Sequence, residues 1–146
     1  MADILHLVNI AATPEKVFAA LSEQSGLAGW WTENVKAEPK VGSVAKFRFG
    51  DKGGGSDMAI TALQPHRLVR WRCVDHLSGE EWIGTEVLFE LVAEPNRTVL
   101  RFSHLRWLEA TDFLRACSVR WALYLVSLKN LVETGKGNPW PRDIRS

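Results

Sequence analysis

Two side chains of this sequence could move a proton beside an apolar site. His104 ends a run in which Leu100, Phe102 and His104 alternate with Val99, Arg101 and Ser103, and Tyr124 lies in a later aromatic stretch. An imidazole titrates near neutral pH and a phenol can donate to an oxygen, so the pair are the candidate general acid and base. His104 also reads as a buried histidine satisfied by a backbone carbonyl, and His6 on an N-terminal strand reads the same way. No partner stands at a fixed spacing from either residue, so no catalytic set is assigned. Around them is an unusual supply of rings: seven tryptophans, six phenylalanines and one tyrosine in 146 residues. Rings in that number either pack a core or wall a cavity for a flat apolar ligand. The set expected to face such a ligand is Trp30, Trp31, Phe47, Phe49, Trp71, Phe89, Phe102, His104, Phe113, Trp121 and Tyr124.

Other chemistries find little support. Asp75-His76 with Glu80-Glu81 matches no metal-ligand spacing, so a solvated loop is expected, with no metal and no cofactor. The glycine-rich stretch from Gly50 to Ser56 joins two strands and opens no helix, so it cannot present helix N-terminal amides to a phosphate. Lys46, Arg48, Arg70, Arg72 and Arg101 share a sheet face with Glu86 and Glu90. That face reads as solvated cross-strand pairs and not as a nucleic-acid surface, and a formal net charge of +1 argues neither way. The N-terminal MADILHLVNIAA lacks a basic leader region and alternates like a strand, so neither a signal peptide nor membrane insertion is expected. Cys73 and Cys117 sit in apolar segments as buried free thiols of a reducing compartment, which points to the cytoplasm.

The elements that must position these residues follow from periodicity. Asp3 to Ala11 alternates with both faces largely apolar, which predicts a strand near the middle of the packing. Thr13-Pro14-Glu15 starts a helix with Val17, Phe18 and Leu21 inside, Ser25-Gly26 breaks it, and Leu27, Trp30 and Trp31 mark a second short helix. Strands follow at Val44 to Gly50, Met58 to Leu63, Leu68 to Val74, Gly84 to Ala93 and Thr98 to His104, joined by turns short enough to require antiparallel pairing. Asp75 to Ile83 is a longer polar loop bearing Trp82. From about Ala110 to Gly135, Phe113, Cys117, Trp121, Tyr124, Leu125, Leu128, Leu131 and Val132 recur at steps of three and four. That stripe predicts one long helix, roughly 36 Å at 1.5 Å per residue, which needs a concave aromatic sheet to lie against. The fold class is α+β in a single domain over 1–146, with a loosely held tail after about residue 136.

In this order, "IAATPEKVFAALS", "GLAGWW", "VGSVAKFRF", "ALQPHRLVRWRC", "GTEVLFELVAEPNRTVLRFSH" and "SVRWALYLVSLKNLVETG" resemble the AHSA1-type branch (activator of Hsp90 ATPase homologue) of the START/Bet v 1-like, or SRPBCC, superfamily. The resemblance runs from about residue 4 to 137. It implies a helix-grip fold: a curved antiparallel sheet wrapped around the C-terminal helix, two short helices after the first strand, and a cavity between sheet and helix. The branch often carries a histidine where Ser103-His104 stands. Where the branch has a glycine pair before the third strand, this chain has Val41-Gly42-Ser43, leaving one residue free to take positive φ. Eukaryotic Hsp90 activators add an N-terminal domain that the residues before 4 do not encode, so Hsp90 stimulation is not expected.

Three functions compete on this reading. One is binding of a small hydrophobic, aromatic or lipid-like ligand in the cavity. Another is an aromatase/cyclase-like reaction, which needs a polar pocket group for an enolate oxygen, with His104, Tyr124 and Arg120 as candidates. The last is a protein-interaction or chaperone-associated module, or a homodimer, using Trp82, Trp107 and Trp140 as exposed apolar residues.

Overall fold

A computed structural model describes residues 1–50 and 54–145. The centre of the glycine-rich hairpin, 51–53, lies outside the described residues. β1 (Ala2–Ile10) leads into α1 (Pro14–Ser22) and α2 (Gln24–Trp30), followed by β2 (Val35–Lys36), β3 (Val44–Arg48), β4 (Gly55–Gln64), β5 (Leu68–His76), β6 (Glu86–Glu94), β7 (Arg97–Trp107) and α3 (Asp112–Thr134). The strands form one seven-stranded antiparallel sheet in the order β1-β7-β6-β5-β4-β3-β2. This is the helix-grip architecture.

Local chemistry sets the element ends. Thr13 caps α1 by accepting the Lys16 N–H at 3.4 Å, and Thr111 caps α3 by accepting the Leu114 N–H at 3.2 Å. Gly135 closes α3 in the left-handed region at φ 87°, and Gly42 takes φ 93° in the turn before β3. The break between the short helices falls at Glu23 (φ −88°, ψ 145°), not at Ser25-Gly26. Gly26 lies inside α2, where a Cβ would stand 2.5 Å from the Ala20 Cα. It is there to let two helices touch, not to end one.

β1 also departs from expectation. It is an edge strand paired only to β7, and Leu5 and Leu7 on its outer side are 67% and 60% exposed. Ile4 and Ile10 alone on this strand are fully inside.

The sheet curls because register slips bend it. β4 and β5 shift between Asp57 and Met58 and again between Ile60 and Ala62, and β1 shifts between Ala2 and Ile4. On the outer face Arg72 opposes Glu86 and Glu90 opposes Arg101 in register. The ion pairs that close on the strands are others, Arg48–Asp57 at 2.8 Å and Arg97–Glu94 at 2.7 Å.

Inside the curl, Trp30, Trp71, Phe47, Phe89 and Phe102 are buried in ring-to-ring contact. Trp31 stands at their centre, with ring centroids 4.3 Å from Phe47, 5.9 Å from Trp71 and 5.0 Å from Trp121 of α3. One part of the space between sheet and helix is therefore packed solid. The tail after residue 136, expected to be loosely held, is instead tied back: Trp140 N–H donates to the Trp31 carbonyl, and Asn138 N–H to the Ser127 hydroxyl.

Candidate functional site

Beside this packed part lies a cavity of about 350 Å³. α3 supplies Phe113, Cys117, Arg120, Trp121 and Tyr124 to its wall. Trp31 and Phe49 line it as well, and Ser56 and His76 come from paired positions of β4 and β5. Trp82, from the β5–β6 connection, and the tail residues Trp140, Asp143, Ile144 and Arg145 complete the rim. The helix spacing explains the α3 contribution: 113, 117, 120, 121 and 124 share one face of a helix whose opposite side carries Val119 and Val126 to solvent.

Of the side chains singled out in the sequence, Trp31, Phe49, Phe113, Trp121 and Tyr124 line this cavity. Trp30, Phe47, Trp71, Phe89, Phe102 and His104 stand behind the wall, in the packed aromatic core. The reason is geometric: alternation assigns a ring to the inner face but not to the filled or the empty part of it.

His104 is fully buried and doubly bonded. The Trp121 indole N–H donates to Nδ1 at 3.1 Å, so the ring proton sits on Nε2 and is donated to the Thr85 hydroxyl at 2.8 Å. Thr85 in turn donates to the Trp82 carbonyl at 2.6 Å. Burial, with a smaller effect from His76, pushes the imidazole down to about 3. His104 is thus a neutral strut joining β7, α3 and the β5–β6 connection, and its partners are side chains rather than the expected carbonyl. The Tyr124 hydroxyl donates to Asp143 at 2.8 Å, and burial together with that carboxylate raises its pKa. His104 and Tyr124 share no hydrogen bond, so the candidate acid–base pair is not assembled.

The tryptophans expected outside are inside. Trp82 is 7% exposed and stacks on His76 and Trp121, Trp107 is 1% exposed, and Trp140 is half-buried against Phe49. Polar neighbours in sequence point each of them outward, although a ring in a polar loop has its own reason to turn inward. Arg120, a candidate polar pocket group in the sequence, does line the cavity, whereas Ser56, His76, Trp82 and Asp143 are not among the expected ligand-facing residues. Trp82 is findable from its ring size, as the α3 face is from its spacing, whereas nothing local marks Asp143.

Among the described residues no group of three His, Cys, Asp or Glu side chains could hold a metal ion. No described helix is long and apolar enough to cross a membrane. Burial pushes the Cys73 thiol up to about 12 and raises Cys117, where the Trp82 N–H and Arg120 offset part of the effect.

A bent antiparallel sheet holding a C-terminal helix, with an open ring-lined cavity between them, defines a helix-grip protein. Within that class the profile of the "Activator of Hsp90 ATPase homolog 1-like protein" family matches residues 11–133, and the chain belongs to this family. Among solved structures it is similar to the Aha1 dimer from Colwellia psychrerythraea, with 43% identity, 94% of this chain and 100% of that chain covered, and a TM-score of 0.86. A Staphylococcus saprophyticus protein shares the fold at 16% identity, 93% and 95% coverage and a TM-score of 0.76. So does a Bacillus halodurans protein, at 21% identity, 91% and 98% coverage and a TM-score of 0.73. No curated protein matches the sequence.

Proposed function

We propose that this protein binds a small, flat, largely apolar molecule in the cavity beneath α3. The supporting observation is that about 350 Å³ stays open and walled by Trp31, Phe49, Trp82, Phe113, Trp121 and Tyr124, while rings close the rest of the interior. That volume lies near the lower end of the roughly 300–1,000 Å³ usual for ligand sites, which suits a body of about two fused rings. Thermal unfolding with 2-ethylnaphthalene tests the reading. A ligand that binds only the folded state adds about 2.7 kcal/mol at a hundred times its Kd, so the transition should rise with probe concentration. Cys117→Phe, which places a ring in the cavity, should abolish the rise. No rise in the unsubstituted protein would end the proposal.

A second reading concerns assembly. The Colwellia relative, 43% identical, is a dimer, and β1 here leaves one edge unpaired with Leu5 and Leu7 exposed beside it. We infer that two copies associate through their β1 edges, which would cover those leucines and pair the open backbone groups. Light scattering should give twice the 16.4 kDa chain mass, and Leu7→Lys should return it to one chain. A monomer at micromolar concentration would refute this. Buried free thiols at Cys73 and Cys117 fit a reducing compartment such as the cytoplasm.

A further inference from the structure

One end of the cavity is lined by residues carrying polar atoms that nothing among the described residues satisfies. Ser56 is 1% exposed and its hydroxyl has no hydrogen-bond partner. Every other buried hydroxyl is paired: Ser22 with the Phe18 carbonyl, Thr32 with Arg48, Thr85 with Trp82, Thr98 with Ala12 and Ser127 with Trp30. Trp82, 7% exposed, also has an unpartnered indole N–H, with only the weakly accepting Cys117 sulfur beside it. His76 Nδ1 is likewise shielded and unpaired. These three residues are neighbours: Ser56 faces His76 across the β4–β5 ladder, and the His76 ring stacks on Trp82 at 4.6 Å. All three line the cavity. The remaining orphan, Trp107 Nε1, does not.

An unpaired buried polar group costs about 1–3 kcal/mol, so three in one cluster need a reason. Their chemistry supplies it. The indole can only donate and a serine hydroxyl can donate, while burial holds His76 below its usual pKa as a neutral ring whose one proton is engaged by the Gly79 backbone. Two donors on either side of the His76 ring call for an acceptor. The charged groups on the wall favour an anion: Asp143 is engaged by Tyr124 and Arg145, while Arg120 has no salt-bridge partner among the described residues. Arg120 also acts electrostatically on Cys117, the residue against Trp82, where Glu81 opposes it with the smaller effect.

Resting on the binding function proposed above, we propose that Ser56, His76 and Trp82 form a subsite for a carboxylate, so that the ligand is an aromatic acid. Its ring lies against Trp31 and Trp121 and its charged oxygens at the orphaned donors. Charge-assisted hydrogen bonds from neutral donors, with Arg120 near, offset the desolvation of such a group.

Calorimetric titration with 2-naphthoate, 2-acetylnaphthalene and 2-ethylnaphthalene tests this, because the three share a body and differ in the head. The expected order is naphthoate tightest, at least tenfold ahead of ethylnaphthalene. Ser56→Ala removes a donor and keeps shape, and Trp82→Phe removes a donor together with part of a ring. Each should cut the advantage of naphthoate over ethylnaphthalene, compared within the same variant, threefold or more, and Ser56→Ala should leave the free protein as stable as before or more so. Equal affinity for naphthoate and ethylnaphthalene would overturn the carboxylate subsite and leave the cavity function standing. A preference for the neutral ketone would overturn the anionic assignment, and an advantage that survives both substitutions would overturn the location. Binding of none of the three would remove the cavity function, and this inference with it.

Discussion

At the scale of single residues, His104 shows how a side chain with catalytic potential becomes structural. Both ring nitrogens are engaged, and the ring's pKa of about 3 lies far below that of an unfolded histidine. As pH falls below about 6.5 the unfolded chain takes up the proton first, so stability is full above that value and is lost downward toward pH 3. The slope is about 1.4 kcal/mol per pH unit, which gives about 2 kcal/mol between pH 7 and pH 5. His76, also depressed by burial but half-exposed, adds a smaller effect of the same sign. Urea titrations at the two pH values should therefore show an acid-induced loss in the native protein that shrinks by about 2 kcal/mol in His104→Gln. An unchanged loss would mean that the ring is not held neutral. The burial of His104 was legible from Leu100 and Phe102 beside it, but its partners were not. Thr85 and Trp121 come from other elements, and only the meeting of β7, α3 and the β5–β6 connection brings them to it.

At the scale of elements, the strands and the long helix were readable because each carries its own period. α1 and α2 were readable only in part. Glycine at 26 suggested a break, since an isolated helix gains about 1 kcal/mol from alanine over glycine. In the fold, a methyl at 26 would meet the Ala20 Cα at 2.5 Å and the Ala19 and Ala20 carbonyl oxygens at 2.9 and 2.8 Å, all of them backbone atoms that cannot turn aside. Gly29, in the same helix, would meet only the Leu131 side chain, at 2.8 Å. The two positions should therefore separate in one denaturation series. Gly26→Ala should lose about 1–3 kcal/mol, as an overpacked contact does, while Gly29→Ala should stay within about 1 kcal/mol of the parent. Equal effects would mean that α1 and α2 do not depend on their close approach. β1 is legible as a strand but not as an edge, for a related reason. Its apolar outer side resembles a buried strand, and an edge that a second chain could cover has the same composition as a core.

At the scale of the molecule, the sequence indicates that rings face inward but not how much room they leave. That remainder depends on where the sheet bends, and the bends arise from register slips with no local signature. It depends also on the tail, whose residues look unremarkable in sequence but form one rim of the cavity through Trp140, Asp143, Ile144 and Arg145. The tail is held by Tyr124–Asp143 at 2.8 Å, Arg142–Glu33 at 2.8 Å and backbone bonds joining Trp140 to Trp31 and Glu33. If a ligand enters past this rim, loosening the side-chain ties should speed entry more than it alters affinity, because the wall rings stay in place. Tyr124→Phe combined with Arg142→Ala removes both ties. Each is worth about 0.5–1.5 kcal/mol at most, the exposed arginine pair less, so the variant should still fold. Stopped-flow quenching of tryptophan fluorescence by 2-acetylnaphthalene should then show association and dissociation rates rising together, by threefold or more, with little change in Kd. Lower stability with unchanged rates would make the tail a brace on α3 and place the entrance elsewhere, on the side where Glu81 of the β5–β6 connection meets Thr111 at the start of α3.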